Sequence, residues 1–249
     1  MKHSEIMRSG GIVRPVLLVA LAAVVAVWMN PGAPSADAAG AVEIVGATIN
    51  FGQVTQNMTL VHDFWIKSVG DQPIKITLIW PGCGCTQIPI EDSTIAPGDS
   101  MPLRIIFNTS RFVGLTEKRP TVKTDVTGHT PLKLVILADV LLDGDSAWPV
   151  VVQPDLLDVS QYGTKERRRA SFHLVNRSNE DLKVTAIDTT LLAFQVNVPE
   201  LLKAGETIEG RVRVREEKVL NDFDESVTFR LEGKQTYYVS LPVFRRYRP

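Results

Sequence analysis

The chain has 249 residues, 44% of them hydrophobic and 22% charged, with 27 Lys and Arg set against 28 Asp and Glu for a net charge of −1. So even a balance gives no electrostatic reason to expect nucleic acid as a partner. Beyond the expected leader the histidines are His62, His129 and His173, and the sequence lacks HExxH, GxSxG, a phosphate-cradling glycine loop and a compact carboxylate–histidine cluster. A non-enzymatic protein is expected.

Residues 1–38 predict an export signal. Lys2, Arg8 and Arg14 precede the apolar run Val16–Met29, Asn30-Pro31-Gly32 breaks any helix, and Ala36-Asp37-Ala38 is a small-x-small cleavage site. The run is short of the roughly twenty residues that span a bilayer. The alternative is an uncleaved N-terminal anchor, the one membrane contact this sequence predicts. Both place the remainder outside the cytoplasm, as a periplasmic or secreted protein. Removing residues 1–38 leaves 24 basic and 26 acidic residues, a net charge of −2.

Short β-type runs separated by turn residues fill the rest, with no sustained helical period. Strands are expected near Glu43–Phe51, Met58–Val69, Ile74–Trp80, Met101–Phe107, Lys118–Asp125 and Leu132–Leu142. Leu60, His62, Phe64 and Ile66 alternate with Val61, Asp63, Trp65 and Lys67, so the first set faces a core. Ile74, Ile76, Leu78 and Trp80 read the same way. Gly70-Asp71-Gln72-Pro73 and Ala96-Pro97-Gly98-Asp99 supply turns. Asp143–Pro149 reads as a short, stiff linker. Beyond it, strands are expected near Leu156–Gln161, Arg168–Asn176, Leu182–Ile187, Thr207–Val214, Ser226–Leu231 and Tyr237–Phe244.

The two stretches are related. Displaced by 108 positions, Ser68–Ile79 falls on Asn176–Ile187 with Lys, Thr and the final Ile identical; with drifts of only a few residues, Phe51-Gly52 aligns with Tyr162-Gly163, and Ala96-Pro97-Gly98 with Lys203-Ala204-Gly205. An internal duplication is the simplest account. The expected architecture is all-β: two tandem immunoglobulin-like β-sandwich domains, 39–142 and 150–249, joined by 143–149, after the N-terminal signal or anchor helix. Both cysteines lie in the first copy, in Pro81-Gly82-Cys83-Gly84-Cys85-Thr86. The second copy keeps the pattern without them, so the fold does not need them.

In order along the first copy come Phe51-Gly52-x-Val54, His62-Asp63-Phe64, Pro73-Ile74-Lys75-Ile76, Cys83-Gly84-Cys85-Thr86, Ala96-Pro97-Gly98-Asp99 and Ile105-Ile106-Phe107. This series resembles the bacterial exported domain of unknown function 1573, whose members look like the Hydin-type immunoglobulin-like domains. The likeness runs from Glu43 to Leu142. Where the family usually shows Asn-Thr-Gly, this chain has Ser68-Val69-Gly70. The resemblance implies a β-sandwich outside the cytoplasm and brings no activity with it.

The Cys83/Cys85 pair admits three readings: inert or structural thiols, a redox dithiol, or a soft-metal site. In an extended strand residues i and i+2 are separated by about 6.6 Å of rise, too far for a disulfide, so a bridge needs a bend. Gly84 at positive φ would supply it, and the small ring would be strained and easily reduced. As a metal site the two sulfurs suit Cu(I), with His62 the candidate third ligand and Met58 and Met101 candidate thioethers; zinc would lack half its shell. For His62 the plainer reading is a core histidine with satisfied nitrogens, and for the methionines gap-filling.

Lys165–Arg169 and Arg245–Arg248 form basic clusters, read as a solvated turn and a solvated chain end. Asn-x-Ser/Thr triplets at Asn57, Asn108 and Asn176 are read as incidental, as the resemblance to a bacterial family implies. The sequence therefore predicts an exported interaction or structural module with an unidentified protein or envelope partner. The alternative is an extracytoplasmic thiol protein that binds Cu(I) or acts as a redox dithiol through Cys83 and Cys85.

Overall fold

Alternating apolar and polar residues bounded by glycine and proline turns put strands along the whole of the described chain. The computed structural model describes residues 40–128, 130–189 and 192–249; the expected export segment and His129 lie outside them. The strands are β1 (Val42–Val45), β2 (Thr48–Thr55), β3 (Thr59–Ser68), β4 (Ile74–Trp80), β5 (Thr86–Gln87), β6 (Thr94–Ile95), β7 (Ser100–Asn108), β8 (Gly114–Lys118), β9 (Thr121–Thr124), β10 (Leu132–Lys133) and β11 (Val135–Leu141). There follow β12 (Val150–Gln153), β13 (Leu157–Asp158), β14 (Gln161–Tyr162), β15 (Arg169–Asn176), β16 (Leu182–Ile187), β17 (Phe194–Asn197), β18 (Leu201–Leu202), β19 (Thr207–Val214), β20 (Phe223–Glu232), β21 (Thr236–Arg245) and β22 (Tyr247–Arg248). Among the described residues no helix is long and apolar enough to cross a membrane.

The architecture is all-β and sandwich-like. In the first half one sheet runs β1-β3-β7-β5 and another β10-β9-β4-β6; in the second half the orders β12-β15-β19-β17 and β21-β20-β16-β18 repeat that arrangement. Local hydrogen bonds repeat as well. Ser68 N–H donates to the Asp99 carbonyl and Asp99 N–H to that of Ala96, and Asn176 N–H donates to Glu206 and Glu206 N–H to Lys203 in the same way. Each half has its own apolar core, one containing Phe51, Leu60, Phe64, Leu103 and Phe107, the other Phe172, Leu174, Phe194, Phe229 and Leu241. Burying each such side chain contributes about 1.5–3 kcal/mol.

The halves share one sheet, in the order β18-β16-β20-β21-β2-β11-β8. β21 meets β2 in parallel at Val239 and Gln53. This approach explains Gly52: its φ is +63°, and a Cβ there would overlap the Tyr238 carbonyl. Polar side chains fasten the seam from both ends. Ser240 Oγ donates to the Phe51 carbonyl at 2.7 Å, and Ser226 Oγ bonds both the N–H and the C=O of Val61 at 2.9 Å. The linker is tied down too, with a single 3-10 turn at Gly144–Ser146 and Trp148 N–H donating to Gln53 Oε1 at 2.8 Å.

Four expectations from patterning change. Gly46, at φ +66°, splits the first expected strand into β1 and β2. β8, β12 and β17 were not expected; in β8 no core-facing stripe marks the strand, and Leu115 is 90% exposed. Val61, on the register expected to face solvent, is buried because β20 covers it. In β4 the register to β9 shifts between Ile76 and Leu78, a bulge that turns Ile79 partly inward and Leu78 and Trp80 outward, leaving them 49% and 60% exposed.

The Arg245–Arg248 cluster is a solvated end only at Arg248. Arg245 is fully buried, its guanidinium donating to the carbonyls of Val219, Val159 and Arg167 and to Gln161 Oε1. Burial, with Arg168 nearby, lowers its pKa. Arg246 and Arg248 pair with Asp224 and Asp222.

Candidate functional site: the disulfide loop and the open edge of β4

β6 pairs with β4 only at Ile74 and Lys75. From Thr77 to Trp80, β4 therefore has β9 on one side and, among the described residues, no strand on the other. An open strand edge is a template for pairing with another chain, and proteins usually protect it with charge, proline or cover. Here it carries exposed Leu78 and Trp80 and runs straight into the cysteine loop, beyond which Ile90 is also exposed.

Cys83 and Cys85 are joined as a disulfide, with Cα atoms 5.2 Å apart, closer than an extended strand allows. The bend is at Gly84, without positive φ, in the turn that runs from Cys83 to Thr86; the positive φ falls instead on Gly82, at +83°, contrary to the sequence-based expectation. The loop is fixed from below. Thr86 N–H reaches the Cys83 carbonyl at 3.4 Å, Asn108 N–H the Cys85 carbonyl at 2.9 Å, and Thr86 pairs with Phe107. The buried Thr86 hydroxyl lies 3.5 Å and 3.8 Å from the two sulfurs. Both cysteines are partly buried, and Cys85 packs on the first core.

His62 is elsewhere. Its ring meets Phe64 edge-on at 4.6 Å and Phe51 at 6.4 Å, and Nδ1 is 3.8 Å from Asp188 Oδ2 of the second half. Burial lowers its pKa, with Asp188 and Asp63 acting against that shift. Among the described residues no three His, Cys, Asp or Glu side chains converge as a metal-binding group. The structure thus brings Cys83 and Cys85 together and places His62 at the seam. Met58 and Met101 pack against the first core. Asn176 is buried, its amide donating to the Glu180, Leu202 and Lys203 carbonyls.

Sequence reading missed the ionic centre of that seam. Arg104 grips Asp63 through two bonds, 2.9 Å and 2.8 Å, and reaches Glu225 of β20 at 2.9 Å. The Asp63 hydrogen bonds raise the Arg104 pKa, and burial raises that of Glu225. Arg104 opposite Asp63 on neighbouring strands was a legible signal, whereas Glu225, far away in sequence, was not.

These features define an all-β, sandwich-like protein with an open strand edge and a short disulfide loop. Residues 42–140 match the model of the family described as Protein of unknown function (DUF1573). No curated protein matches the chain. Among solved structures, a protein of unknown function from Porphyromonas gingivalis W83 is similar at 9% identity and TM-score 0.37, over 82% of this chain and 99% of that one. The ASH/PapD-like domain 7 of human CEP192 is similar at 10% identity and TM-score 0.37, over 55% and 98%. The E. coli chaperone DraB is similar at 11% identity and TM-score 0.32, over 82% and 97%.

Proposed function

We propose that this protein is an exported, non-enzymatic interaction module of two tandem immunoglobulin-like domains. It holds an extended segment of an envelope protein along the open edge of β4. One observation carries the reading: the bulge after Ile76 leaves Leu78 and Trp80 exposed on a strand edge with no neighbour among the described residues, next to a loop braced by a disulfide. Main-chain pairing would give affinity, and alternate side chains would give selectivity. The repeated sheet orders and the two separate cores support the tandem-domain reading. The Hydin-type likeness of the first copy and its CGCT signature belong to the same proposal.

Site-specific photocrosslinking in the native host tests it. A crosslinker at Trp80 or Ile90 gives one discrete adduct, whereas the same group at Leu201 or Leu220, also exposed but in the second half, does not. Equal labelling from all four positions, or none from Trp80 and Ile90, sinks the proposal.

The pairing of Cys83 with Cys85 favours a second reading, a redox dithiol. A partner dithiol would attack Cys83, the sulfur not packed on the core, pass through a mixed disulfide, and leave oxidised as Cys83 and Cys85 take up two electrons and two protons. Only the reduced pair would offer thiolates to Cu(I). Thiol counts before and after mild reduction, beside an anaerobic Cu(I) titration, test both versions. Two thiols that never become countable, together with no bound copper, end this reading.

A further inference from the structure

The outer face of the β15-β19-β17 sheet holds charges that its folding does not require. Alternation along β19 buries Ile208, Gly210, Val212 and Val214 and points Arg211 and Arg213 outward. The ladder sets Arg169 of β15 opposite Arg213, with Gln195 of β17 on the other flank; the next row is Asn197, Arg211 and Ser171. Like charges directly opposite one another across an antiparallel pair are destabilising. Arg168, beside this pair, is neutralised by Glu166 and Glu216, and Arg211 by Glu209. Among the described residues, Arg169 and Arg213 have neither an ion-pair nor a side-chain hydrogen-bond partner. They line a groove of about 480 Å³ together with Arg211, Arg215, Gln195 and Asn197.

We propose that this groove binds a linear acidic polysaccharide. Outward residues along β19 recur about every 6.8 Å, twice the rise per antiparallel residue, so the guanidinia form a row suited to a repeating anion rather than a single ion. Arginine forks match carboxylate and sulfate oxygens in bidentate geometry. Between them, the Gln195 and Asn197 amides offer partners to sugar hydroxyls. None of the large exposed apolar side chains among the described residues lines the groove. It therefore has neither the aromatic platform that stacks nucleobases nor an apolar anchor for a bilayer. The site lies in the second half and is independent of the β4 edge.

The test is titration of the purified protein with a heparin octasaccharide as probe, beside an octanucleotide of single-stranded DNA and vesicles of phosphatidylglycerol. The octasaccharide binds, and its affinity falls as salt rises. Arg169→Gln and Arg213→Gln each weaken it about tenfold, the scale of one lost charge-assisted contact. Lys75→Gln, on the first half, changes it by less than about twofold, as expected of a screened surface charge. Each arginine variant relieves the cross-strand repulsion, so its melting temperature holds or rises, and the weakening is not unfolding. The proposal is overturned by absence of octasaccharide binding, by equal affinity in the arginine variants, by an equal loss in Lys75→Gln, or by preference for DNA or vesicles.

Discussion

Ser226 closes the edge of β3 at Val61: its hydroxyl accepts the Val61 N–H and donates to the Val61 carbonyl, both at 2.9 Å and both buried. One side chain from the second half thus satisfies two main-chain groups of the first. Leaving a buried polar group unpaired costs about 1–3 kcal/mol. Ser226→Ala strands two, and should destabilise the protein by about 2–4 kcal/mol on that scale. Urea unfolding measures it, and a loss below about 0.5 kcal/mol, the size of an ordinary surface change, would mean the seam does not depend on this contact.

Gly52 and Gly163, aligned in the expected duplication, both have positive φ, +63° and +78°. Their surroundings differ. A Cβ on Gly52 runs into the Tyr238 backbone, and one on Gly163 meets nothing within 4 Å. Gly163→Ala should cost only the left-handed penalty, about 1–2 kcal/mol. Gly52→Ala adds an overlap between β2 and β21 and should exceed about 3 kcal/mol, the range of a packing defect. Equal losses in thermal melts would remove the close approach as the reason for this glycine.

The same pair shows how much was legible in sequence. β4, β16 and β19 run over the very residues expected from periodicity, because their turns are marked by glycine, proline and aspartate. Turn chemistry is local, so it can be read locally. The seam depends on Ser226, Glu225 and Tyr238 meeting residues more than a hundred positions away, and no pattern in a single chain records such a meeting. The β4 bulge was missed for a related reason: Leu78 and Trp80 are apolar, and periodicity assigns apolar residues to a core. Their exposure is what makes this edge a candidate site.

Replacing both cysteines should leave the fold intact. So short a ring restricts the unfolded chain little, which limits the loss in Cys83→Ser/Cys85→Ser to about 1.5 kcal/mol by chain entropy. Thr86 and Asn108 still bond the Cys83 and Cys85 carbonyls. Gly84→Ala should be nearly neutral, since Gly84 lacks positive φ and an added Cβ meets nothing within 4 Å. Gly82→Ala, at φ +83°, should be the costlier change. Chemical unfolding of the three variants checks the order, and a double-serine loss above about 3 kcal/mol would make the bridge a structural requirement.

His62 gives the seam a pH dependence whose sign follows from its burial. Its folded-state pKa is below the ordinary imidazole value, because burial outweighs the attraction of Asp188 and Asp63. Above about pH 6.5, His62 is neutral in both folded and unfolded chains and exacts no penalty. As pH falls below that value the unfolded chain takes up the proton first, so stability declines until the folded-state pKa is passed. Glu225 titrates in the opposite sense: burial raises its pKa, so its proton is held more tightly in the folded chain and acidification through the carboxylate range favours folding. The two effects have opposite signs. His62→Gln should flatten the decline in melting temperature below about pH 6.5, and Glu225→Gln should remove the gain that acidification brings through that carboxyl group. Parallel melting curves for the wild type and His62→Gln below that pH would show that this imidazole is not buried at the seam.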